Sequence, residues 1–121
     1  MNKHLIPLLL VVNLQASEYA SLLFHGNCTT CHFETKTVSA PSVIEFKQRY
    51  LNAFAQKDEF VKYMSLWVQH PKKESSIMHD AIKKHKLMPE LGFDLETLEI
   101  ISEYIYETDF VQKHEGHKQR R

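Results

Sequence analysis

Glycine and proline are scarce in this chain, with three of one and four of the other in 121 residues. That is too few turn formers for a fold built from many short hairpins. Runs that alternate apolar with polar residues are missing as well. Apolar residues recur at three- and four-residue spacing instead, so an all-α domain is expected. An excess of either charge is also absent: 15 basic residues face 15 acidic ones, which leaves no basic stripe for a nucleic-acid partner. No internal repeat or low-complexity segment marks a second domain, and at 43% hydrophobic and 25% charged the chain has the composition of one small soluble domain. Cysteine occurs only at positions 28 and 31, so no other thiol competes for either one.

Those two cysteines belong to the stretch Cys28-Thr29-Thr30-Cys31-His32, around which the rest of the chain is organised. A Cys-x-x-Cys-His run is the attachment pattern of c-type haem. Two thiols spaced by Thr29 and Thr30 over one turn of backbone can add across the two vinyl groups of one porphyrin edge. His32 follows directly and is then brought beneath the iron as its proximal ligand. Two other chemistries use the same residue types. A redox dithiol normally opens a helix after a strand, and no β-branched run precedes Cys28. A zinc site would have to recruit His79 and His85, but 47 residues separate Cys31 from His79, far beyond the hairpin spacing of a finger.

Residues 1–16 read as an export signal: a short basic start at Met1-Asn2-Lys3-His4, an apolar stretch from Leu5 to Val12, and Leu14-Gln15-Ala16 ending on a small residue. The apolar stretch is too short to span a bilayer. Left uncleaved, it would tether the same domain to the outer face of the membrane. Removal takes Lys3 alone among the charged residues, so the mature chain has 15 − 1 = 14 basic residues against 15 acidic. Residues 17–110 then form the domain, and 111–121, a charged stretch with His114 and His117, is expected to be a frayed, disordered tail.

Within the domain about five short helices are expected. Ser17 would cap the first, with Tyr19, Leu22 and Leu23 on one face and Gly26 at its end. Pro41 would open the second, carrying Val43, Phe46, Tyr50 and Phe54. Asp58 would start the third, with Phe60, Val61, Met64, Trp67 and Val68 inward, and Ser75 or Ser76 the fourth, with Ile77, Met78, Ala81 and Ile82. Leu87-Met88-Pro89-Glu90-Leu91-Gly92-Phe93 is no helix, since Pro89 biases Met88 to extended backbone and Gly92 adds a second break. Asp94 would cap the last helix, whose face is Leu95, Leu98, Ile101, Tyr104 and Ile105. Periodicity alone does not sort the aromatics into core packing and cofactor contact.

With these stretches in order, the mature chain resembles a class I monohaem cytochrome c. Three features carry the resemblance: Cys28-Thr29-Thr30-Cys31-His32 near the start, Met88-Pro89 well downstream, and a last helix ending in Tyr104-Ile105. Phe24, four residues before the first Cys, stands where the family has an aromatic that packs against the last helix, here on Tyr104. Ala20 stands where many members have Gly. The resemblance implies an all-α bundle wrapped around one covalent haem c, with Cys28 and Cys31 as thioethers, His32 as proximal ligand and Met88 as distal ligand. It also implies a monomeric periplasmic electron carrier rather than an enzyme, with the redox donors and acceptors of a respiratory chain as partners and no stable membrane insertion. Met88 is favoured over Met64, Met78, His79 and His85 because Pro89 stiffens its loop and the other methionines fall within helical patterns. A haem subunit docked to a larger oxidoreductase, and a catalytic or gas-sensing haem protein with a displaceable Met88, are the alternatives.

Overall fold

The computed structural model describes residues 5–118, with side chains from 15 to 116. The start of the expected signal, Met1 to His4, lies outside the described residues. Among those described, every regular element is an α-helix. The first, α1 (Leu5–Asn27), runs without interruption through Ala16 and Ser17. Ser17 therefore does not cap a helix here: no breaker separates it from the residues before it, which supply the earlier turns, and Pro7 falls in the first turn, where a missing N–H is tolerated. The face that α1 packs inward meets expectation only in part: Leu23 packs against the core beside the fully buried Phe24, whereas Tyr19 and Leu22 are exposed. No described helix is long and apolar enough to cross a membrane.

Helix α2 (Val43–Ala53) starts two residues after Pro41, which was expected to open it, and Ser42 caps it, its hydroxyl accepting the Glu45 N–H at 3.2 Å. The third helix, α3 (Lys57–Gln69), buries Phe60 and Met64 on the face expected of it. The short α4 (His79–His85) begins later than the sequence suggests. The Ser76 hydroxyl accepts the N–H of Met78, two residues on, which makes a local turn and leaves Met78 at the N-cap. Asp94 caps α5 (Leu95–Glu107) as expected, accepting the Thr97 N–H at 2.9 Å, and Leu98, Ile101 and Ile105 are buried along the helix.

A sixth helix, α6 (Phe110–Lys118), forms where a disordered tail was expected. Phe110, 2% exposed, seats its ring 5.5 Å from Phe24 and 6.3 Å from Tyr104. Lys47 Nζ donates to the Thr108 carbonyl at 2.6 Å, which ties α2 to the corner between α5 and α6. Helix α5 packs mainly against α3, then against α1. Phe24 meets Tyr104 at that α1–α5 contact, with ring centroids 5.2 Å apart.

Candidate functional site

Beyond α1 the chain turns tightly through the cysteine stretch. The N–H groups of Cys31 and His32 both donate to the Cys28 carbonyl, at 3.3 and 2.9 Å, and the Thr29 hydroxyl donates to the His25 carbonyl at the end of α1. Thr29 thus satisfies one of the carbonyls a helix end leaves open, a role its position as a spacer does not announce. Cys28 is half-buried, Cys31 is exposed, and neither thiol is bonded to the other. Burial pushes the Cys28 thiol up to about 11. It stays protonated at neutral pH, the reverse of the lowered value that an attacking dithiol needs.

The His32 ring is held from two sides. Its Nδ1 lies 2.7 Å from the Pro41 carbonyl, which can only accept, so Nδ1 carries the proton and Nε2 keeps a free lone pair. Phe46 stands edge-on to it at 5.1 Å. Burial holds His32 below its ordinary value, the Pro41 hydrogen bond works against that, and the charge of His85 adds to it. A neutral, tautomer-fixed imidazole with an open nitrogen is the form a metal accepts. Pro41 is a partner that sequence reasoning missed, because eight residues of irregular chain separate it from His32.

Cys28, Cys31 and His32 line a cavity of about 350 Å³, and Met88 from the loop after α4 lines the same cavity. That volume lies in the range of ligand sites. The walls are mostly apolar, with Val68, Leu98, Ile101 and Ile105 among them. The aromatics now separate: Phe46, Tyr50 and Trp67 line the cavity, as does Phe93, while Phe60 is buried in the aromatic core. Met64 and Met78 also reach the cavity, so the methionine that the sequence singles out is not alone there. Set against protein-family models, curated proteins and solved structures, the chain matches none.

The donor set suits a porphyrin iron. Two unbonded thiols, a neutral imidazole and thioether sulfurs line one cavity whose walls are mostly apolar. The zinc alternative has no such geometry. Among the described residues no three His, Cys, Asp or Glu side chains gather into a group able to hold a metal, and His79 borders a separate shallow cleft. The irregular backbone from Lys86 to Asp94 that carries Met88 agrees with the break expected at Pro89. It starts from Lys86 at φ 73° and ψ 173°, a region that suits glycine rather than a residue with a Cβ.

Proposed function

We propose that this chain is a c-type cytochrome that carries single electrons between redox proteins, with one haem bound covalently through Cys28 and Cys31 and ligated by His32 and Met88. The observation that carries this reading is that Cys28, Cys31, His32 and Met88, drawn from opposite halves of the chain, line one apolar cavity. Each thiol adds its S–H across a vinyl carbon–carbon double bond, giving a thioether with no leaving group and no change in overall electron count. When bound, haem iron supplies a reversible one-electron couple.

The remaining work falls to the chain's own residues. Pro41 fixes the His32 tautomer, so that the lone pair of Nε2 is the one available for ligation. The Met88 thioether, which lines the same cavity, would be the second donor and, being neutral, would hold the reduced metal better than the oxidised one. The apolar walls disfavour extra positive charge in the same sense, and both effects raise the reduction potential. Cys31 is exposed, so the attachment loop lies where a partner protein can make the brief contacts suited to electron exchange. Held by His32 and Met88, the group would offer no place to a substrate, which suits a carrier rather than an enzyme. The leader at residues 1–16 accounts for the compartment, since haem attachment of this kind takes place on the outer side of the inner membrane and the mature carrier works in the periplasm.

The test is the intact mass of the denatured protein after expression in cells that mature c-type cytochromes. The expected mass is that of the polypeptide from Ser17 plus one haem. A bare polypeptide from cells that correctly mature a control cytochrome overturns the proposal.

A further inference from the structure

A second nitrogen donor faces the same cavity. His85 is the last residue of α4, is half-buried, and lines the cavity together with His32 and Met88. Most other described histidine rings are engaged. Nδ1 of His32 donates to the Pro41 carbonyl, while His25 and His114 meet Glu34 and His70 meets Glu90. Among the described residues the rings of His79 and His85 make no hydrogen bond, and of these two only His85 reaches the cavity.

The connection from His85 to Met88 is short and strained. Lys86 follows His85 at φ 73°, and Leu87 leads into Met88. Lys86 is thus a pivot between a donor anchored on a helix and a donor carried by an irregular loop. Rotation there moves the loop without unwinding α4, whose last bond runs from the Lys86 N–H to the Ile82 carbonyl at 2.7 Å.

We propose that His85 is an alternative distal ligand: when Met88 withdraws with its loop, the His85 imidazole takes the position opposite His32. This inference rests on the haem reading given above. In the exchange a sulfur–iron bond breaks and a nitrogen–iron bond forms, and no electron is transferred. The imidazole binds through the lone pair of a neutral ring, and a ring that was protonated first releases its proton to solvent. Replacing a thioether by a second imidazole lowers the reduction potential. The chain therefore has two redox settings, selected by the position of one loop.

The experiment compares ferric haem-loaded wild type, Met88→Ala, His85→Ala and Met88→Ala/His85→Ala by electron paramagnetic resonance and visible spectroscopy. Met88→Ala should lose the far-red sulfur–iron band yet stay six-coordinate and low-spin with a two-nitrogen axial signature. The double variant should become high-spin and return to low-spin when imidazole is added, and His85→Ala should keep the wild-type band. Met88→Leu, which keeps side-chain volume without offering a donor, replaces Met88→Ala if that protein does not fold. A high-spin Met88→Ala or Met88→Leu protein, or a double variant that stays low-spin without added imidazole, overturns the assignment of His85 while leaving covalent haem intact. Wild type that carries no haem overturns the underlying reading and this proposal together.

Discussion

Lys86 holds a backbone conformation that costs a residue with a Cβ about 1–3 kcal/mol. Its N–H closes α4 on the Ile82 carbonyl, so the conformation is imposed by the end of that helix and the start of the Met88 loop. Gly92, at φ 77°, shows the same loop using glycine where the left-handed region is needed. Lys86→Gly should therefore stabilise the fold, the strain relieved being larger than the roughly 0.5–1 kcal/mol of extra chain entropy that glycine loses on folding. Urea unfolding should show a gain of about 1 kcal/mol, and a loss would mean that the Lys86 side chain contributes more than its backbone costs. The sequence gives no warning of this residue, since lysine is an ordinary helix former. Other single residues were legible. The gathering of Cys28, Cys31 and His32 on one cavity follows from their spacing, and Asp94 caps its helix as its residue type demands. Met88 was only partly so: it lines the cavity, but Met78 does too, because the turn at Ser76 moves Met78 out of the helix interior.

At the scale of one element, α6 is the part least readable in advance. Its run from Val111 to Lys118 has no apolar stripe, and the groups that hold it come from elsewhere in the chain. Its first residue, Phe110, packs against Phe24 and Tyr104, and Glu34 holds the next turn. Lys113 Nζ donates to Glu34 Oε1 at 2.8 Å, His114 Nε2 lies 2.6 Å from Oε2, and His25 Nε2 from α1 lies 3.2 Å from Oε1. One carboxylate therefore gathers three basic side chains from both ends of the chain. Burial alone would push the Glu34 carboxyl up, but hydrogen bonds from Lys113, His114 and His25, together with the lysine charge, hold it below its ordinary 4.5. With the folded value depressed, the stabilisation is fully present above about pH 4.5 and is lost as pH falls through the lower folded value. Glu34→Gln should be less stable than wild type at neutral pH, with the gap closing as pH falls below 4.5. Thermal melts of both proteins from pH 7 to pH 3 would check this; a gap that stayed constant would show that the pairing, not the charge, matters.

Across the whole molecule, helical spacing was enough to anticipate an all-α chain and most of the inward faces. It could not say which inward residues meet another helix and which meet the cavity, because that depends on how α3 and α5 cross and where the loop after α4 returns. Phe60 and Tyr50 illustrate the limit. Both are buried, both come from apolar helical stripes and their rings pack edge-on against each other, yet Tyr50 also lines the cavity while Phe60 does not. The cavity also bears on stability. Its apolar walls, Val68, Leu98, Ile101 and Ile105 among them, present surface that a bound apolar group would cover, and total stabilities of domains are only about 5–15 kcal/mol. A group bound only by the folded chain adds its binding energy to stability, and a covalently held porphyrin would in addition supply the contacts that Phe46, Tyr50 and Trp67 otherwise lack on their cavity side. Cys28→Ala/Cys31→Ala, which cannot retain haem covalently, should therefore keep much of its helical far-ultraviolet dichroism while losing near-ultraviolet fine structure, bind hydrophobic dye and unfold over a broad temperature range. Sharp unfolding of that variant with near-ultraviolet dichroism like the loaded protein's would show that the walls close on themselves and that the chain does not need the porphyrin to finish its core.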